Sequence, residues 1–216
     1  MIRYDKRTRA LAVCLSALAG CVDAIGFIEL GGFFVSFMSG NSTRLGVGLS
    51  ANAPDAALAG GLVALFVLGV IGGSLTGHFA SVRRRPAVLA LVSALLTLAA
   101  GASSANLVTV AVICMALAMG AENAVFERDG EVTVGLTYMT GTLVRLGQRL
   151  TSAFVGGDRL TWMPHLVLWL GLVLGAVAGA IAHARFGLES LWIAAGGASL
   201  ATVAALWIAD DSASER

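Results

Sequence analysis

Charge is scarce in this sequence. Charged residues make up 12% of the chain, where a soluble domain carries about a quarter. Hydrophobic residues reach 57%, and the mean hydropathy is +0.86. These proportions exclude an ordinary soluble class and predict an integral membrane protein whose first partner is the lipid bilayer. Basic tracts are missing apart from Arg83-Arg84-Arg85, and the formal net charge is only +1, so no nucleic-acid partner is expected. Cysteine is scarce as well. Cys14, Cys21 and Cys114 fall in apolar runs and read as small buried hydrophobes, without a disulfide framework or a metal spacing. His78, His165 and His183 lack His or carboxylate neighbours at helical spacing, so neither a metal nor a cofactor is expected.

Long apolar runs, in contrast, are abundant. Stretches of roughly 18 or more such residues read as spanning helices, and they cover about 10–28, 56–81, 87–103, 105–126, 164–184 and 190–209. Leu18-Ala19-Gly20-Cys21 has the form of a lipoprotein cleavage box. Cleavage there would remove an element of an internal repeat, so the run is read as a retained helix. Two further segments, about 31–50 and 132–151, are apolar but interrupted by polar residues. They nearly spell the same thing: Phe37-Met38-Ser39-Gly40-Asn41-Ser42-Thr43-Arg44-Leu45-Gly46 and Tyr138-Met139-Thr140-Gly141-Thr142-Leu143-Val144-Arg145-Leu146-Gly147. Val22-Asp23-Ala24 faces Glu122-Asn123-Ala124 at an offset of one hundred, and Leu68-Gly69-Val70-Ile71-Gly72-Gly73 matches Leu174-Gly175-Ala176-Val177-Ala178-Gly179. Each half therefore reads as helix, interrupted segment, helix, helix, with residues 1–103 and 104–216 as two repeats of one membrane domain.

The positive-inside rule arbitrates the topology. If both interrupted segments cross, eight spans result, and Arg83, Arg84, Arg85, Arg128 and Arg185 lie opposite the basic N-terminus of Arg3, Lys6, Arg7 and Arg9. If both dip in and return, six spans result. Arg83 to Arg85, Arg128, Arg149, Arg159 and Arg216 then join the N-terminus in the cytoplasm, and only Arg185 is left outside. The six-span arrangement is preferred, which puts both termini in the cytoplasm and makes the repeats inverted, each with three transmembrane helices and one re-entrant or broken helix. Full, kinked spans stay open, because twenty residues are enough to cross.

Polar groups in apolar runs are the candidate site. Arg44 and Arg145 either snorkel to the interface or face a polar pathway, where they would attract an anionic group or pair with Asp23 and Glu122. Asn123 stands beside Glu122. Ser39, Asn41, Thr43, Thr140 and Thr142, with Ser36, Ser42 and Thr137, could line a solute site or bond helix to helix. Gly40 and Gly141 supply the breaks, and Phe37 and Tyr138 could wall them. Gly69, Gly73 and Gly77, and Gly171, Gly175 and Gly179, recur at every fourth position. Such stripes let helix backbones approach closely, whether between the two halves or between copies in a homo-oligomer. His183 continues the second stripe, and Trp162, Trp192 and Trp207 fit interfacial anchoring.

An enzyme is not expected. Ser39-Gly40 and Ala182-His183 invite comparison with rhomboid-type intramembrane serine proteases. However, Phe37 stands where that family has the first Gly of its serine motif, and the glycines after the histidine are absent.

Asp23-Ala24-Ile25-Gly26-Phe27, Phe34-Val35-Ser36-Phe37-Met38-Ser39-Gly40-Asn41-Ser42-Thr43, Asn123-Ala124-Val125-Phe126 and the second motif from Tyr138 to Gly147 together resemble the YoaK-type family of bacterial inner-membrane proteins. Ser39 stands where that family usually has Thr. The resemblance implies a small polytopic protein of the bacterial plasma membrane and implies no activity. From the residues themselves, the expected function is a transporter or channel for a small polar or anionic solute, with its site where the two Met-Ser/Thr-Gly motifs, entering from opposite faces, meet near the midplane, Arg44 and Arg145 supplying positive potential and Asp23 and Glu122 acting as counter-charges or proton-coupling groups. A membrane scaffold or assembly factor is the alternative, binding its partner through the glycine stripes.

Overall fold

The computed structural model of the chain describes residues 5–51, 53–128 and 130–214. Arg3 and Arg216, which enter the charge argument, lie outside them. Among the described residues are eight α-helices: α1 (Lys6–Glu29), α2 (Met38–Ala51), α3 (Ala53–Ala80), α4 (Arg84–Ser104), α5 (Val108–Glu122), α6 (Met139–Phe154), α7 (Met163–Phe186) and α8 (Leu191–Ser214). Short 3-10 turns at Ser81–Arg83, Asn123–Phe126 and Gly187–Ser190 tighten three of the helix ends. The strands β1 (Glu127–Arg128) and β2 (Glu131–Val132) form a two-residue antiparallel ladder.

Five helical stretches are long and apolar enough to cross a membrane, and the last of them, Met163–Ile208, contains α7 and α8 as far as Ile208. The chain is a polytopic helical membrane protein. By contrast α2 has 14 residues and α6 has 16. At 1.5 Å per residue these are about 21 and 24 Å long, short of a hydrocarbon core of about 30 Å.

Glycine sets how the long helices meet. A Cβ on Gly175 or Gly179 of α7 would strike the carbonyls of Ala17 and Cys21 on α1, and one on Gly20 of α1 would strike Leu172. In the other half, Gly69 and Gly73 of α3 meet the carbonyls of Leu117 and Ala121 on α5, while Gly120 of α5 meets Phe66. In each pair residue numbers rise together along both helices, so the partners run parallel with backbones in direct contact. α1 with α7 and α3 with α5 are thus glycine-seamed pairs, each joining one helix from each half.

Polar ties locate the two ends of the bundle. At the proximal end the start of α4 meets the start of α1, through Arg85 Nη1 to Thr8 Oγ1 at 3.3 Å, and meets the chain after α5, through Arg84 to Glu127 at 2.6 Å. The distal end collects the last turns of α1 and α7, joined by Glu29 and His183 at 3.3 Å, and the end of α4, where Ser104 donates to Glu189 at 2.9 Å. It follows that the chain leaves α1 and enters α3 at the distal end, whereas it leaves α5 and enters α7 at the proximal end. Fully buried Leu15, Val22, Ile25, Leu89, Leu96, Met115 and Met119 fill the interior between α1, α4 and α5.

Candidate functional site

The two interrupted segments are breaks of extended backbone inside a helical protein. Such backbone is tolerated at membrane depth only where its polar groups find partners. At the first break Gly31 and Gly32, with φ of 62° and 104°, turn the chain back after α1. Asp23 Oδ1 then accepts the N–H groups of Val35 at 2.9 Å and Ser36 at 2.7 Å. Asn41 clamps Phe34 at both backbone atoms: its Oδ1 accepts the N–H at 3.0 Å and its Nδ2 donates to the carbonyl at 2.6 Å. Two side chains therefore satisfy four backbone groups.

Asn123 takes the corresponding place at the second break. Its Oδ1 accepts the Thr137 hydroxyl at 3.0 Å, and its Nδ2 donates to the Met119 carbonyl at 2.9 Å. From α1, the buried Ser16 hydroxyl reaches toward the carbonyls of Leu136 at 3.4 Å and Leu168 at 3.1 Å. A single serine inside an apolar run gives no sequence signal, and its role shows only in three dimensions.

Among the described residues Glu122 differs from the other fully buried polar side chains. It is completely buried, and neither carboxylate oxygen has a hydrogen-bond partner among the described residues. One hundred residues earlier the same place is held by Val22, also completely buried.

The expected arginine partners are elsewhere. The Arg44 guanidinium lies 4.6 Å above the Phe33 ring and, with Thr43 and Asp55, lines a cavity of about 180 Å³ between α2 and α3. Arg145 is exposed on α6, together with Tyr138, Thr140 and Gly141. Asp23 is engaged by backbone rather than by Arg44. Ser39 and Thr43 are exposed on α2, where Thr43 donates back to the Ser39 carbonyl at 3.2 Å, and Thr142 is buried in the first turn of α6. Gly40 is packed so closely that a Cβ would come within 2.6 Å of the Phe37 ring. The two motif copies pack on different helices, α2 on α3 and α6 on α7, with no substantial interface between α2 and α6 among the described residues.

A second polar cluster has no counterpart in the sequence reading. Glu127 accepts the Ser74 hydroxyl at 2.6 Å and pairs with Arg84, whose Nε also donates to the Ala124 carbonyl at 3.2 Å. Gly77 of the first stripe makes room for this arginine rather than for a helix, since a Cβ there would lie 2.8 Å from the Arg84 side chain.

Comparison with known proteins agrees with this picture without adding chemistry. A "UPF0700 transmembrane protein RA0705" of Rhizobium meliloti (strain 1021) is 42% identical over 212 residues, covering 95% of this chain and 92% of that protein. A "UPF0700 transmembrane protein YoaK" of Bacillus subtilis (strain 168) is 28% identical over 202 residues, covering 87% and 88%. No solved structure matches. With residues 11–204 matching the family described as "Protein of unknown function (DUF1275)", this chain belongs to that family of bacterial multi-pass membrane proteins, the YoaK-like group its paired motifs resemble.

Proposed function

We propose that the protein is a proton-coupled transporter of a small polar or anionic solute, built as two inverted repeats of three spanning helices and one re-entrant segment. The proximal end faces the cytoplasm in this reading, which places both termini there. Two breaks that return to opposite ends of the bundle support the inversion, as do the glycine seams that tie each half to the other. Inverted repeats with discontinuous helices are a recurring transporter architecture.

The observation that carries the reading is Glu122. An ionised carboxylate without a partner costs several kcal/mol to bury, and a neutral one still leaves polar atoms unsatisfied. The fold accepts a valine at the corresponding place in the other half, so packing does not demand a carboxyl here. A group that could have been apolar at no structural loss supports a cycle in which Glu122 takes up and releases a proton. Asp23 and Asn123 hold the breaks in this scheme. The motif residues on α2 and α6, Arg44 and Arg145 among them, form two unlike half-sites along the solute pathway.

The assembly-factor reading is less well supported. Five of its six stripe glycines face helices of the same chain, and Gly77 faces Arg84, which leaves a partner no free stripe. An intramembrane hydrolase is not supported either, since His183 pairs with Glu29 at the distal end while Ser39 lies exposed on α2.

Proteoliposomes loaded with a pH-sensitive dye provide the test, using a panel of monocarboxylates, amino acids and inorganic anions. At least one solute should drive proton movement with the wild type. Glu122→Gln should still exchange that solute across the membrane but move no protons. The reading fails if no panel member couples to protons, or if Glu122→Gln couples as well as the wild type does.

A further inference from the structure

The fourth helices of the two halves are seated differently. α4 and α8 pack closely on each other, but α4 also packs broadly on α5 and on α3, whereas α8 touches α1 more thinly and meets α7 mainly through the connecting turn. The space left is a groove of about 940 Å³ between α1 and α8, floored by Gly175 and Ala178 of α7. Its walls are almost wholly apolar. Leu18 and Cys21 line its inner part, and Arg7 and Trp207 stand at the proximal mouth.

We infer that this groove is a binding site for one phospholipid of the leaflet at the proximal end, with an acyl chain between α1 and α8 and the phosphate at Arg7. Length argues for this occupant. From Arg7 to Cys21 the α1 wall rises through about 21 Å at 1.5 Å per residue. Half of a bilayer about 40–45 Å thick with its headgroups is the same length. A helix from a second copy would need no such match and would not place a cation at one end. The chemistry runs in the same order as a lipid: a guanidinium where a phosphate would lie, an indole at the interfacial level, then hydrocarbon inward. Small residues on α8, Gly197 and Ala201 among them, keep the channel open along its length.

Gly197 gives a clean perturbation. A Cβ there has only the Leu18 side chain near it, at 3.9 Å, so a larger residue fills the groove without striking backbone. Gly196 beside it has nothing within 4 Å and does not line the groove, which makes it the control. Protein purified in mild detergent and stripped of lipid is titrated with phosphatidylethanolamine and read by native mass spectrometry. Wild type and Gly196→Leu should take up one lipid per chain saturably. Gly197→Leu should bind about tenfold more weakly, as the loss of a few buried methylenes predicts, and Arg7→Gln should also bind more weakly. Equal lipid binding by wild type and Gly197→Leu would overturn the site. So would a lipid-free dimer that Gly197→Leu splits, since the groove would then belong to a second copy.

Discussion

At the first break Asp23 receives the backbone N–H groups of Val35 and Ser36, whereas at the second the corresponding Asn123 receives the hydroxyl of Thr137. The tether is therefore a carboxyl in one half and an amide in the other. One residue before it the order reverses: Val22 is apolar and Glu122 carries the carboxyl. Both halves place one acid at this turn of helix, but only the acid of the first half is satisfied by the fold. The comparison separates a carboxyl with a structural task from one that the structure leaves without any, at the point where the repeats stop matching.

What the halves share should be the most damaging to break. Gly175→Leu and its counterpart Gly69→Leu each drive a side chain into the carbonyl of a parallel neighbour. Both variants should lose more than about 4 kcal/mol, the range reserved for severe core lesions, and should fail to yield monodisperse protein on size-exclusion chromatography. Gly72→Leu, on the same helix but with nothing within 4 Å of its Cβ, should behave as wild type. Equal damage at Gly69 and Gly72 would mean that α3 does not pack on α5 as described.

Removing the tethers separates the halves. Asp23→Ala leaves two N–H groups of the first break without an acceptor, a loss of about 2–6 kcal/mol at 1–3 for each buried group. Asn123→Ala strands one hydroxyl and should lose about 1–2 kcal/mol. Unfolding titrations in mixed micelles would rank them. Asp23→Asn keeps an acceptor oxygen in place and should recover most of the loss, which separates a hydrogen-bonding role from a role of the charge. If Asp23→Asn were as unstable as Asp23→Ala, a cation would have to be holding Asp23, and the backbone assignment would fall.

Making the halves alike at the next position has the opposite sign. Glu122→Val copies Val22 into the second repeat and replaces an unpartnered buried acid by a hydrophobe. Such exchanges are often neutral or stabilising by about 1–4 kcal/mol. The same titration should show greater stability, while proton-coupled flux should vanish, the trade expected where a site is held at the expense of the fold. A destabilised Glu122→Val would indicate that the carboxyl has a structural partner after all.

Much of this was legible in the sequence, and the reasons for the rest are specific. The apolar runs, the repeat offset and the breaks follow from residue types that a membrane tolerates only in certain places. Gly69, Gly73, Gly175 and Gly179 announced close packing, but spacing does not name the opposing surface, and Gly20 and Gly120 stood unread although they too lie one hundred residues apart. Charge made Asp23 and Glu122 the natural partners of Arg44 and Arg145 if these faced inward, with snorkelling to the interface equally open. Extended backbone competes for the same acceptor, and Asp23 goes to it, while Arg44 finds the Phe33 ring instead. The groove beside α8 could not be read at all, because it depends on how far two helices stand apart and on nothing periodic in either of them.

The smallest difference lies where the two repeats begin. α1 starts with Asp5 as its N-cap, the carboxylate accepting the Thr8 N–H at 3.4 Å, whereas α5, its counterpart, starts after Leu107 with no side-chain cap. Its hydrogen bonds with Thr8 hold the Asp5 carboxyl below its ordinary pKa, against a smaller opposing effect of burial. A carboxyl whose pKa is lowered by folding stabilises the protein above its unfolded pKa and loses that contribution as pH falls through the lowered, folded value. Asp5 is exposed, so solvent and salt weaken the effect, and Asp5→Ala should lose about 0.5–1 kcal/mol, the lower part of the range for N-caps. The gap between wild type and Asp5→Ala should hold steady at neutral pH and close in acid, below the usual carboxylate range. Asp5→Asn, a good cap without a charge, should show a gap that does not change with pH there. A gap between wild type and Asp5→Ala that widened in acid would reverse the sign and remove Asp5 from the first turn of α1, leaving both repeats to begin uncapped.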